Sequence, residues 1–376
     1  MNKKEVSELR RRFNPEKTAI SNIYGCYVNG NKEVIAYLDE SLGIMPQEEA
    51  EQYLALLKKA LSGKLNRNLI DIIFTTEQVM DSDTHRLLMA LREGKSEARK
   101  QFFQTVIDSL DMGDSNYLIL CANDAYDVPF KSAGDIDRSS LKYAAGEADQ
   151  VYRYFICSVC PVKDGKKELG FFSGENEFHN SLAKQVVSAP ELGFLFPAFD
   201  DRASNIYNAL FYARKPDEIH HEFIDAIFQV EPPMSAAEQR EAFECALSSS
   251  LDCRMEVIRA VHEQLKAKID EYKETKEEAP LSVSVGDITA ILTDCNVAEE
   301  QIKAFQKNYK ESFGQGVLNP ENIIDSRKFE VRTGEITITA DPELSYLVET
   351  REIDGQKYIM VPVSGETELN GFAVEV

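Results

Sequence analysis

Between Tyr117 and Phe228, strand-grade segments alternate with helix-grade ones, and this texture constrains the fold more than any other feature of the chain. Residues 117–122, 151–162, 193–199 and 206–213 are apolar and rich in Ile, Val, Phe and Tyr. A strand cannot satisfy its own backbone groups, so these runs must pair, and the intervening helices must cover the resulting sheet. Residues 169–173 fit as a further strand returning across the Asp164-Gly165 turn. Residues 178–187 and 217–228 read as helices, the first closed by Pro190 and the second opening after Pro216. An N-terminal hairpin completes the set: residues 19–28 supply one strand, Asn29-Gly30 the turn and residues 32–38 the return. The expected fold class is α+β, a mixed sheet body with packed helices over residues 1–230.

Three helices sit on the N-terminal side of that sheet. One opens at Pro46 with Glu48, Glu49 and Glu51 in its first turn and stops at Gly63 after Lys58 and Lys59. Tyr53, Leu54, Leu57 and Leu61 keep helical spacing along it. Residues 84–92 and 97–110 form two more, the second carrying Phe102, Phe103, Val106, Ile107 and Leu110. Residues 1–12 read as a short basic helix, with five bases against two acids, ended by Asn14-Pro15. That helix would dock on an acidic partner or on the protein's own acidic surface.

Beyond residue 230 the texture becomes helical to about residue 316. Ser235 and Glu238 have capping-box spacing. Ile258, Val261, Leu265, Ile269 and Tyr272 form an apolar stripe along a long helix. A charged linker lies near residues 273–285, and helices at 286–292 and 298–313 follow it. Residues 317–376 read as a small antiparallel β module with no helical pattern. Its strands fall at 329–332, 335–339, 346–353, 357–363 and 372–376, and Asp354-Gly355 is a strong hairpin turn.

Charge decides which functions are worth considering. The chain has 42 Lys+Arg against 64 Asp+Glu, a formal net charge of −22. That balance argues against a general affinity for nucleic acid or for anionic membranes, which require concentrated basic surface. The acids are unevenly placed: from Phe329 onward there are ten against three bases. No apolar run reaches the ~18 residues needed to span a bilayer, and the charged start leads into no secretory h-region. The seven cysteines are odd in number and mostly embedded in apolar stretches, as reduced thiols are in a cytosolic protein. A cytoplasmic location is expected.

Cys157-Ser-Val-Cys160 is the most conspicuous motif. A redox CxxC sits where a strand enters a helix, whereas this pair lies inside a continuous strand run. Residues three apart in a strand face opposite ways with Cα atoms about 10 Å apart, beyond the reach of a disulfide. A zinc site would need a second ligand pair, which the sequence lacks. Both cysteines read as structural. His220-His221-Glu222 reads as a solvated helix start, since adjacent helical residues diverge by about 100°. His85 and His262 are isolated. None of the GxSxG, Walker A, GxGxxG, EF-hand or kinase signatures occurs, so no cofactor is expected. Residues 288–313 resemble a helix-turn-helix in spacing, yet Lys303, Lys307 and Lys310 are interleaved with Glu299, Glu300 and Glu311. An ordinary helical hairpin is the simpler reading.

The acidic segments following strands carry the chemical alternative. Asp124 and Asp127 would stand beyond the strand at 117–122, Glu175, Glu177 and His179 at a helix start, and Asp200, Asp201 and Arg202 between two strands. Carboxylates and one imidazole converging from strand ends are the donor set that Mg²⁺, Mn²⁺ or Zn²⁺ takes. Helix dipoles and turn chemistry place acids at such positions without any metal.

Several segments carry a family resemblance. Tyr24-Gly-Cys-Tyr-Val-Asn-Gly30, Asn123-Asp-Ala-Tyr-Asp-Val-Pro129, Ile156-Cys-Ser-Val-Cys-Pro161 and Glu175-Asn-Glu-Phe-His179 are four of them. Gly193-Phe-Leu-Phe-Pro-Ala-Phe-Asp-Asp-Arg202, Leu347-Val-Glu-Thr-Arg351 and Ile353-Asp-Gly-Gln-Lys-Tyr358 are three more. Together they resemble the bacterial domain-of-unknown-function family 4317 nearly end to end. The resemblance implies identity and brings no reaction, cofactor or partner with it.

The expected function is therefore a non-catalytic interaction or regulatory protein, its acidic β module offered to a basic protein partner. The alternative is a metal-dependent hydrolase that binds a divalent cation through Asp124, Asp127, Glu175, Glu177, His179, Asp200 and Asp201. Arg202 would then stabilise developing negative charge. Oligomeric state is not legible.

Overall fold

The computed structural model describes residues 1–129, 150–165, 169–172, 174, 177–180, 185–252, 254–275, 277–314, 316–363, 365, 367–369 and 371–375. The chain forms two compact units, 1–235 with 278–280, and 236–277 with 281–376.

The first unit opens with α1 (Lys3–Arg10), the hairpin β1 (Asn22–Val28) and β2 (Val34–Ser41), and α2 (Gln47–Lys59). Next come β3 (Leu69–Ile73), α3 (Thr76–Asp81), α4 (Asp83–Arg92) and α5 (Ser96–Ser109). The long strands β4 (Asn116–Val128) and β5 (Gln150–Asp164) follow, then β6 (Leu169–Phe172), β7 (Glu177–Asn180) and β8 (Gln185–Val187). β9 (Leu192–Phe196), β10 (Ala198–Asp200), β11 (Ala203–Asn205), β12 (Asn208–Ala213) and α6 (His221–Phe228) complete it.

The main sheet runs β2-β1-β4-β5-β9-β12-β3, with β8 added on β5, and all its ladders are antiparallel. Its spine is the β4–β5 ladder, in register from Asn116↔Val162 to Val128↔Gln150. Alternate residues face alternate sides of a strand, so two cores flank the sheet. On one side Cys121, Phe155, Cys157 and Phe194 pack with Leu88 of α4, Phe102 of α5 and Phe223 of α6. On the other, Leu120, Ile156, Cys160 and Leu195 pack with Leu9 of α1 and Leu54 and Leu57 of α2. Gly193 lets α2 end close against β9. A Cβ there would stand 2.4 Å from the Cys157 carbonyl oxygen and 2.9 Å from Ala60 Cβ.

The α+β class is as expected, and several local readings are corrected. β4 continues through Val128, so Asn123–Pro129 is not a loop after a strand ending at Ala122. Over 178–187 the described residues form the strands β7 and β8 instead of a helix, so Glu177 and His179 do not open one. β6 pairs with β7, while the end of β5 pairs with β8. The helix expected at 217–228 starts only at His221, because His220 is held left-handed at φ 53°. β3 and α3 have no counterpart in the sequence reading.

The second unit contains α7 (Ala236–Ser248), α8 (Met255–Thr275), α9 (Val285–Asp294), α10 (Glu299–Phe313) and α11 (Pro320–Ile323). They share a core of Phe243, Val261, Leu265, Ile288, Phe305 and Tyr309. Three separate two-stranded hairpins follow: β13 (Phe329–Thr333) with β14 (Ile336–Ala340), β15 (Glu349–Ile353) with β16 (Gln356–Met360), and β17 (Thr367–Leu369) with β18 (Phe372–Val374). A 3-10 turn at Pro342–Leu347 replaces the beginning of the strand expected from residue 346. Arg259 of α8 clamps this turn, donating to the Ser345 and Val348 carbonyls at 3.3 and 3.2 Å, and the Ser345 hydroxyl donates to Glu263 at 2.6 Å.

Candidate functional sites

The even-numbered residues of β4 and β5 face α1, and Asp124 is one of them. Asp124 is fully buried. Arg12 donates to it twice, Nε to Oδ2 at 2.9 Å and Nη2 to Oδ1 at 3.2 Å. The Tyr154 hydroxyl donates to the same carboxylate at 2.8 Å and the Ala19 amide at 3.1 Å. Burial pulls the Arg12 guanidinium down in pKa, and the hydrogen bond and charge of Asp124 outweigh it, leaving the group raised. Burial, reinforced by Asp124, pushes the Tyr154 hydroxyl far up.

Arg202 and Asp200 complete the arrangement. Asp201 and Arg202 form the tight turn between β10 and β11, both at positive φ (49° and 61°). Arg202 donates to Glu8 of α1 and, through Nη2, to the Pro129 carbonyl at 2.7 Å. Tyr126 also donates to Glu8, at 2.6 Å. Asp200 lies 2.7 Å from the Met1 ammonium and accepts from Asn205 Nδ2 at 2.7 Å. Asp71, on β3, is 3.7 Å from the same ammonium. Burial raises the Asp71 carboxyl despite that positive charge.

Asp124, Asp200 and Arg202 are each engaged with the α1 segment, at three separate points along it: Arg12, Met1 and Glu8. The basic N-terminus docks on its own acidic surface. Asp127 and Asp201 are exposed and, among the described residues, belong to no group of possible metal ligands. Glu177 and His179 are placed on the β7 backbone, and Glu175 lies outside the described residues. Among the described residues, no group of three His, Cys, Asp or Glu side chains is arranged to hold a metal ion. Sequence reasoning missed the ligands of this cluster, Tyr126 and Tyr154. The alternation of Ala122, Asp124, Tyr126 and Val128 was the signal that they share a face.

The motifs read as structural behave so. Cys157 belongs to the α4–α6 core and Cys160 to the α1–α2 core, on opposite faces of the sheet. His85 is buried between the Phe74 and Phe196 rings, with Nε2 2.9 Å from the Ile206 carbonyl. Lys303 and Lys307 pair along α10 with Glu299 and Glu311.

The second unit presents a different surface. In the β15–β16 hairpin Glu349 lies opposite Met360, Arg351 opposite Tyr358 and Ile353 opposite Gln356, so all six share one face. Ile353, Tyr358 and Met360 are 45%, 43% and 39% exposed. On the other face the exposed Glu352 opposes the exposed Lys357. Among the described residues neither strand pairs with anything else. A two-stranded hairpin alone is marginally stable in water, and on the face of Ile353, Tyr358 and Met360 all six paired residues are exposed.

Comparison with protein families adds one result. The family profile described as Domain of unknown function (DUF4317) matches residues 1–372. The chain belongs to the DUF4317 family. The match spans both units, so the α1 cluster and the β15–β16 hairpin are both parts of the DUF4317 region. No curated protein matches the DUF4317 chain. Among its described residues no helix is long and apolar enough to cross a membrane.

Proposed function

We propose that this DUF4317 chain is a bacterial, cytoplasmic, non-catalytic interaction protein whose β15–β16 hairpin docks a basic protein partner. The observation carrying the reading is the exposed row Ile353, Tyr358 and Met360 on a hairpin with no further strand beside it among the described residues. Apolar side chains on such a ribbon gain stability when a partner covers them. The surrounding acids set the partner's sign: ten acids against three bases lie beyond residue 328, and Arg351 is already paired with Glu349 at 3.1 Å. Electrostatic attraction would bring a basic partner, and the apolar row would hold it.

The hydrolase alternative draws no support from the α1 cluster, because Asp124, Asp200 and Arg202 are each paired within the chain. Capture from native lysate at low salt tests the proposal, using the full chain and its Ile353→Ser/Tyr358→Ser/Met360→Ser variant. Basic proteins retained by the first and lost by the second would support it. Recovery of the same proteins by both, or of none by either, would contradict it.

A further inference from the structure

Ala50, Leu54 and Leu57 of helix α2 are buried against the sheet. Tyr53 and Leu56 are half-buried at the edge of the same core and line a groove of about 950 Å³ between α2 and β8, to which Val186 and Val187 contribute. These two valines are 54% and 37% exposed.

The charges beside this groove are reciprocal. Glu48 and Glu49 line it at the α2 N-terminus and Lys59 at the C-terminus. None of these three makes an ion pair among the described residues. They stand about ten residues apart, about 15 Å along a helix.

We infer that α2 is a self-association surface, on which α2 of a second copy of this chain docks antiparallel across a two-fold axis. An axis crossing α2 at the level of Tyr53 brings Glu48 and Glu49 onto Lys59 of the second copy, and does so twice. A two-fold interface is self-complementary in this way. Antiparallel helices also place the positive end of one dipole beside the negative end of the other. The half-buried Tyr53 and Leu56 then meet their own copies at the centre, with Val186 and Val187 flanking. A foreign basic segment would gain at Glu48 and Glu49 and lose at Lys59. The second copy gains at both ends.

The test is sedimentation of the full chain up to about 100 µM, a range suited to a small interface, together with charge-reversed variants. Glu49 and Lys59 are exposed, so their substitution leaves the fold intact. The expected wild-type result is a dimer that dissociates on dilution. Glu49→Lys alone and Lys59→Glu alone each weaken dimerisation by about tenfold or more. Mixing the two variants restores it as a heterodimer, because each contact again joins opposite charges. A wild type that stays monomeric overturns the inference. So does a dimer indifferent to both reversals, or a mixture that fails to recover.

Discussion

The Arg12 guanidinium grips the Asp124 carboxylate through two hydrogen bonds, 2.9 and 3.2 Å long, between residues 112 positions apart. This contact makes a carboxylate that reads as a metal ligand into the anchor of the N-terminal helix. Removing one partner of a buried pair leaves the other uncompensated. Asp124→Asn should therefore cost about 2–4 kcal/mol in urea unfolding, and adding Arg12→Met to it should recover part of the loss. A change below about 0.5 kcal/mol in the single variant would show that the pair does not hold α1.

Cysteine reactivity follows the sheet's two faces. Burial pushes the Cys26 thiol up to about 11 and the Cys160 thiol higher still, and Cys157 is wholly buried, whereas Cys245 is exposed. Thiol labelling of the native chain near neutral pH should modify Cys245 before the other described cysteines and leave Cys157 and Cys160 untouched until unfolding. Diamide should form no Cys157–Cys160 disulfide. Labelling of that pair at the rate of Cys245 would contradict the placement.

Close packing of α2 on β9 depends on Gly193. In the Gly193→Ala variant the added Cβ would meet a backbone oxygen at 2.4 Å, an atom that cannot rotate away. Overpacking of this kind costs about 1–3 kcal/mol. Thermal unfolding should show a clearly lowered midpoint, and an unchanged one would contradict the close approach of Gly193 to the Cys157 carbonyl and to Ala60.

Acid stability of the second unit should depend on the cap of α9. Burial pushes the Asp287 carboxyl up, but the Ser284 hydroxyl and amide, followed by Lys268, outweigh it and hold the group down at about 2. A carboxyl depressed in the folded state stabilises fully above its ordinary value of 3.8 and loses that contribution as pH falls toward 2. Ser284→Ala should cost about 1 kcal/mol near neutral pH. It should also flatten the decline between about pH 4 and pH 2. An unaltered acid limb in unfolding curves would count against this linkage.

Helices with strong punctuation were legible from sequence. Pro46 and the following acids define the start of α2, which ends at Lys59, ahead of the expected stop at Gly63, and the turn at Cys295-Asn296 separates α9 from α10. The opposed faces of Cys157 and Cys160 also followed from strand geometry alone. The second half of β4 did not, because Asn123, Asp124 and Asp127 are turn formers in isolation. Asp124 is tolerated inside a strand only because Arg12, Tyr154 and Ala19 arrive from distant segments. For the same reason, the engagement of Asp124, Asp200 and Arg202 with the α1 segment was invisible from local pattern. Residues 178–187 read as a helix closed by Pro190, although Val186 and Val187 favour an extended chain, and the described residues there form β7 and β8.

Hydrogen exchange across the β15–β16 hairpin tests the proposed docking role most directly. In the chain alone, the amides of residues 350–359 should exchange at least about tenfold faster than those of the β4–β5 ladder. Adding a captured basic partner should slow them about tenfold or more while leaving α8 unchanged. A hairpin already as protected as β4–β5 in the free chain, or one unchanged by the bound partner, would contradict the assignment.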